Sequence, residues 1–340
     1  MSAPAVKSLG AVPSADRPSF RRRAWEVYGE AVEAARDIYR VLETETKSPA
    51  ALFWPENIIR KILLLLREGN SEIVALTNRS VPDHYLYGHV PNIAILSLCL
   101  GLAVGLEEED AVTLGLAAFL SELGLASHLE LASKPTTLTD EEYRLLRTHV
   151  EEGVKMLDLF PLPESERKAT LRQAISQCHE RISGKGYPGG LKKEAIHPFA
   201  KIIGMMDAFE AMTHTRPWRP RTLPHLVLRK MVEENQDEFD ALQIRSFVEC
   251  LSFYPPGTFV RLNSGEVGRV VSTSPDLPLR PRVWIFMDAA GDRLIPSREI
   301  SLSASPTLFV VDAVDETALK PKDPRLSLEL RAQCLWVKGL

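Results

Sequence analysis

Cysteine is scarce in this chain: Cys99, Cys178, Cys250 and Cys334 are the four in 340 residues, and no two form a CxxC pair. That spacing argues against a disulfide framework and fits a reducing, cytoplasmic setting. A large excess of one charge is also missing. The 41 basic and 45 acidic residues leave a net charge of -4, so no global field draws in nucleic acid and no DNA-binding role is expected. A polyanionic partner would have to meet a local basic cluster. Nor is there an apolar run of bilayer length. The most apolar stretch, Ile93 to Leu106, is 14 residues long and is followed at once by Glu107, Glu108, Glu109 and Asp110, which reads as a buried core helix rather than a membrane span. The N-terminus reaches Arg21, Arg22 and Arg23 without an apolar core of signal-peptide length. Residues 1–23 are expected to form a mobile arm.

What is present has ordinary globular composition, 45% hydrophobic and 25% charged, enough for one large core with smaller modules. Trp25, Ala31, Ala34, Ile38 and Leu42 recur at helical steps, and Ile58 to Leu66 makes a second apolar stripe. Residues 24–80 thus read as an N-terminal helical module with nothing chemically distinctive in it. Six or so further helices are expected up to Leu251, broken at Pro82, Gly105, Lys134 to Thr139, Phe160 to Pro163 and Ser183 to Gly190. After Tyr254-Pro255-Pro256-Gly257 the texture turns to short β runs at Phe259 to Leu262, Val267 to Ser272, Val283 to Met287 and Phe309 to Val311. The expected organisation is mainly α, with a helical domain over 81–252, a small β module over 253–313 and a tail over 314–340 that reads as a charged linker with room for a helix, interrupted by Pro321 and Pro324.

Four blocks carry a more specific signal. Cys178-His179-Glu180-Arg181-Ile182-Ser183-Gly184-Lys185-Gly186-Tyr187-Pro188-Gly189-Gly190-Leu191 resembles the HHERxDGxGYPxGL signature of the HD-GYP family, with Cys178 and Ser183 as departures. The run from Phe199 through Asp207, Glu210 and Thr213 to Arg216 and Arg219 is similar to that family's ARIIxxADxxDALTxxRPYR. Tyr85 to Leu96, containing His89, resembles its YxxxHSxNVAxL helix, and Leu145 to Gly153, containing His149, its MRxHxxxG helix. The β run after Tyr254 looks like the appendage many members carry.

That resemblance implies a helical HD-domain fold and a metal-dependent phosphodiesterase of cyclic di-GMP. Cleaving a phosphodiester needs a hydroxide at neutral pH and positive charge against phosphorus, and paired metal ions supply both. Imidazoles and carboxylates from several helices suit Fe, Mn or Zn. Carried over position by position, His89 and Asp207 belong to a first metal, His149 and His179 to a second. The HD pair itself falls on Ser121 and Glu122, so Glu122 stands for the bridging carboxylate. Leu125 replaces a phosphate-holding Lys, Cys178 replaces a His, and Tyr85 stands where three-metal members carry Glu. Ser is a poor ligand, which weakens the first site. His149, Cys178, His179 and Glu122 would form a tetrahedral set suited to Zn.

The expected catalytic residues are therefore Glu122 and Asp207. The metal residues are His89, Glu122, His149, Cys178, His179 and Asp207, holding at most one divalent ion per chain, or none. Arg216, Arg219 and Glu210 are the expected substrate contacts, Arg through its planar fork. Glu210 and Thr213 read equally well as packing residues, Arg216 and Arg219 also read as surface arginines, and Trp218 reads as core. His84, His128, His197, His214 and His225 have no motif support. The Gly186, Tyr187 and Pro188 loop is exposed in the family and linked there to GGDEF-domain partners. Three functions stay open: a cyclic di-GMP signalling protein that binds nucleotide or a protein partner with weak or no hydrolysis, an active phosphodiesterase with Glu122 bridging and Cys178 ligating, and a nucleotide-independent scaffold. Homodimerisation is also left open.

Overall fold

In a computed structural model the described residues are 17–43, 52–81, 83–234, 237–273 and 276–332. Residues 1–16 of the expected arm, Pro82 and the last eight positions of the expected tail lie outside them. The arm is shorter than expected, because helix α1 already begins at Arg17 and runs to Glu43. The helices α2 (Glu56–Arg67) and α3 (Ser71–Leu76) follow. Next come α4 (Tyr85–Ala103), α5 (Glu108–Leu120), a 3-10 turn at Leu123–Ser127, α6 (Leu129–Ala132), α7 (Asp140–Arg147), α8 (His149–Leu157) and α9 (Glu166–Gln177). The helices α10 (Pro198–Thr213), α11 (Pro224–Glu233) and α12 (Ala241–Leu251) complete the helical part.

The helix α4 sits at the centre. It contains Ile93, Ile95, Leu98 and Leu100, all fully buried, because α1, α5, α10 and α12 pack around it. Both α4 and the α5 segment are long and apolar enough to cross a membrane by length and composition alone. Their apolar surface faces other helices, which gives the same burial within protein.

The N-terminal helices pack onto the main helical domain. Tyr28, Ile38, Tyr39 and Leu42 of α1 and Ile59 and Ile62 of α2 belong to the same core cluster as α4 and α5. Tyr28 and Tyr39 lie three helical turns apart and hence on one face. Both are wholly buried against α4 and the 3-10 turn.

The C-terminal part is a five-stranded antiparallel sheet in the order β4-β3-β2-β1-β5. Its strands are β1 (Phe259–Leu262), β2 (Val267–Ser272), β3 (Arg282–Met287), β4 (Arg293–Ser301) and β5 (Val310–Ala313). The sequence reading missed β4, which is polar, carries Pro296 and lies at the sheet edge, where proline breaks no ladder. The helix that the tail had room for is α13 (Pro324–Ala332), which buries Leu326 and Leu330 against Phe259 and Phe286 of the sheet, beside Leu319. Pro324 starts that helix rather than interrupting it, as expected for the first helical position.

Candidate metal centre

Two close backbone approaches build the site. Gly124, in the turn after α5, faces α8 so tightly that a Cβ there would lie 1.9 Å from the His149 carbonyl oxygen and 2.7 Å from Gly153 N. This clamps the Glu122 turn onto the start of α8. Gly204 of α10 similarly passes the end of α9, where a Cβ would lie 2.1 Å from the Cys178 carbonyl oxygen. His179 is thereby held beside Asp207. Tyr39 of α1 donates its hydroxyl to the Glu122 carbonyl at 2.8 Å and fixes the turn from the other side.

The result is a convergence of three side chains. His149 Nε2 and His179 Nε2 are 3.0 Å apart, with Glu122 Oε1 3.2 Å from His179 Nε2 and Oε2 3.5 Å from His149 Nε2. All three are buried, and among the described residues they form the one group of His, Cys, Asp and Glu ligand atoms close enough to share a metal ion. The His149 Nδ1–H donates to the Leu146 carbonyl at 2.7 Å, which leaves the lone pair on Nε2, where a ligand needs it. Burial holds the His149 imidazole below its ordinary pKa, although Glu122 works the other way. For Glu122 burial disfavours the charge, but His149 and His179 outweigh it and keep the carboxyl well below the usual carboxylate range. His149 and Glu122 thus hold the neutral and ionised forms that bind metal, whereas His179, which burial would lower, is raised well above its ordinary pKa by Tyr187, Cys178 and Glu122 and gives up a proton on ligating. Two His and one Glu are a three-ligand set that leaves a coordination position open, the pattern of catalytic rather than structural zinc sites. The donor set fits a divalent ion.

His89 and Asp207, expected to serve a first metal, are brought together but bound to other groups. His89 Nε2 is 3.2 Å from Asp207 Oδ1 and its Nδ1 is 2.5 Å from Glu210 Oε2. Burial would lower its pKa, yet with Glu210 and Asp207 on its two nitrogens it is raised to about 9. Arg216 Nη2 also lies 3.0 Å from the same Nδ1, so Asp207, Glu210 and Arg216 enclose the ring. Asp207 Oδ2 lies 3.7 Å from His179 Nδ1, so the carboxylate links the two histidines.

The expected substrate contacts bond to one another or to their own helix. Arg216 and Glu210 are both buried. Arg216 Nη2 is 2.6 Å from Glu210 Oε2, and its guanidinium stacks 4.2 Å from the Tyr85 ring centroid. Glu210 also accepts from Asn92 at 3.0 Å, and Asn92 in turn from Tyr28 at 2.9 Å. His214 Nδ1, without motif support, stands 3.2 Å from Glu210 Oε1. Arg219 donates to the Ala211 carbonyl, closing the end of α10. Trp218 is not core: it is 43% exposed, edge-on to Tyr85. Thr213 bonds to the Phe209 and Glu210 carbonyls of its own helix.

Three further positions follow from local bonding. Ser121 turns back onto its helix, donating to the Ala118 carbonyl at 3.0 Å, and Leu125 is core. The Cys178 thiol does the same towards the Ile175 carbonyl at 3.1 Å, and it contributes no atom to the three-ligand group. Cys178, expected as a ligand, is a buried thiol that adjoins the three-ligand group through His179. In the glycine loop, Glu180 accepts from Gly189 N at 2.6 Å and Leu191 N at 2.9 Å. At Gly186 a Cβ would lie 2.4 Å from Arg181 N. Tyr187 is turned inward, stacked on His179 at 4.8 Å and covered by Arg147 at 4.3 Å, while Lys185 and Pro188 remain exposed.

Tyr28, Tyr39, Asn92 and His214 were missed by sequence reasoning. One signal was available, since Asn92 follows His89 by three residues and so shares its helix face.

Comparison with known proteins agrees with this architecture. Residues 69–242 match the family described as HD domain, and residues 259–322 match the KOW domain associated with HD domain. The chain is 34% identical over 241 residues to the Pseudomonas aeruginosa protein named cyclic di-GMP phosphodiesterase PA4108, covering 70% of this chain and 56% of that one. It is 25% identical over 194 residues to the Borreliella burgdorferi protein named cyclic di-GMP phosphodiesterase PdeB, covering 56% of this chain and 50% of the other. It thus spans about half the length of these relatives. The solved structure of Bd1817, a HDG"Y"P protein from Bdellovibrio bacteriovorus, shares the fold at a TM-score of 0.53 and 18% identity, over 70% of this chain and 74% of that one. With the HD-domain match covering the helical core, the four motif blocks and relatives of this kind, the chain belongs to the HD-domain family, in its HD-GYP branch.

Proposed function

We propose that this chain acts in cyclic di-GMP signalling as an HD-GYP protein with one divalent-metal centre at Glu122, His149 and His179, binding nucleotide or a protein partner with weak or no hydrolysis. The names of its relatives support the nucleotide class. The observation that carries the reading is the single three-ligand group, with His89 and Asp207 paired instead to each other and to Glu210 and His179. A bound ion would polarise phosphate oxygens and lower the pKa of a water. The chain's own residues do the rest: Glu122 supplies the carboxylate, Leu146 and Asp207 orient the two imidazoles, and Tyr187 with Arg147 covers His179 against solvent.

A second reading, an active phosphodiesterase, is favoured by the donor set of two His and one Glu, the combination found in catalytic zinc sites. Elemental analysis and a cyclic di-GMP hydrolysis assay on the purified chain separate the two. The first reading expects no more than one metal per chain and turnover below the common enzyme range of about 1 to 1000 per second. Turnover within that range, lost on chelation, establishes the second.

A further inference from the structure

Away from the metal centre, a cleft of about 820 Å³ opens between the first turns of α1, the start of α3 and strands β2, β3 and β4. That volume lies within the usual span of small-ligand sites. Its walls carry four arginines, Arg21, Arg22, Arg269 and Arg282, against two carboxylates, Glu72 and Glu299. Glu299 is engaged by Arg282 at 3.1 Å. The other carboxylate is shared loosely: Glu72 Oε1 stands 3.7 Å from both Arg21 Nε and Arg269 Nη2 and is buried without a hydrogen-bond partner.

Positive charge is crowded further by Arg79, buried behind the wall with its guanidinium 4.5 Å from the Trp25 ring centroid. Burial, and then the neighbouring Arg269, lower the Arg79 pKa to about 10.

Aromatic surface faces the same space. Phe20 and Trp25 of α1 line it from one side and Trp284 of β3 from the other, with Trp284 37% exposed.

We propose that this cleft is a nucleotide-binding site, with Arg21, Arg22 and Arg269 on the phosphates and Trp284 against the base. Guanidinium forks match phosphate oxygens, and an exposed indole face stacks on any base. A small ligand is favoured over a nucleic-acid strand because, among the described residues, the neighbouring Arg23 and Arg298 are paired to Glu68 and Glu266 and do not extend the basic surface. The site is separate from the metal centre and does not depend on what that centre does.

The test is a titration of the full chain with mant-GTP, followed by fluorescence anisotropy. Wild type should bind saturably, and His149→Ala should bind equally well. Either Trp284→Ala or the double change Arg21→Glu with Arg22→Glu should weaken binding at least about tenfold. Arg21 and Arg22 are more than half exposed, so the pair can be changed without disturbing the core. The proposal is overturned if wild type shows no saturable binding, if both variants bind like wild type, or if binding disappears in His149→Ala. Affinity for oligouridylate that climbs with chain length would also overturn it, in favour of a strand.

Discussion

The backbone of Gly124 passes the His149 carbonyl so closely that a Cβ would lie 1.9 Å from it. This contact sets where Glu122 meets the two imidazoles. Gly124→Ala should therefore cost stability in the overpacking range of about 1–3 kcal/mol or above, together with metal affinity. A urea midpoint and metal content measured on the same sample check both. An alanine variant with wild-type stability and metal would show that the turn and α8 are not clamped here.

Metal content should depend on His149 and His179 but not on Cys178. His149→Ala and His179→Ala should each lower affinity at least about tenfold, since even supporting residues around a metal are worth that much. Cys178→Ser should retain the wild-type content, because the thiol bonds to the Ile175 carbonyl within the core. Equilibrium dialysis against Zn checks all three, and loss of metal in Cys178→Ser would restore the cysteine as a ligand.

Removing Arg216 should act on folding before it acts on any ligand. Its guanidinium is buried on Glu210 at 2.6 Å, and breaking a buried ion pair costs about 3–5 kcal/mol. Arg219→Ala removes a hydrogen bond to the Ala211 carbonyl, worth only about 0.5–1.5 kcal/mol. Denaturant curves for the two variants give the comparison, and an Arg216→Ala protein of wild-type stability would contradict the buried network.

Glu210 predicts an acid limb in stability. Burial alone would raise its carboxyl, but His214, His89 and Arg216 outweigh burial and hold it well below the usual range. The folded pKa is thus below the unfolded value of about 4.3. The stabilisation is complete above that pH and is lost as pH falls through the folded pKa. Glu210→Gln should be less stable near neutrality and show a shallower acid limb than wild type. Unfolding free energies measured across the acid range test this, and parallel curves for the two proteins would refute it.

Half of a second metal site still stands, with His89 Nε2 and Asp207 Oδ1 at 3.2 Å. The double change Ser121→His with Glu122→Asp should therefore raise metal content above that of wild type, with cyclic di-GMP hydrolysis rising alongside. Adding Leu125→Lys should raise hydrolysis further without changing metal content. A folded triple variant with unchanged metal and activity would show that this site no longer accepts the lost pair.

The helical core, the β texture after Tyr254 and the positions of His149, His179 and Glu122 were legible in the sequence. Each is written in local periodicity or in a motif whose spacing is fixed by one helix or one loop. The edge strand β4 and the docking of α13 were not, since an edge strand carries little apolar alternation and α13 acquires its buried face only on the sheet. The inclusion of α1 in the core likewise depended on Tyr28 and Tyr39 meeting Asn92 and the Glu122 turn across long stretches of chain. Residue type showed that Arg216, Glu210, His89 and Cys178 were suited to phosphate or metal. Only tertiary packing decided which of them face outward: a buried charge must be paired and a buried thiol bonds to its own helix, so the first three satisfy one another and Cys178 turns to Ile175. The open ligand set is left to Glu122, His149 and His179.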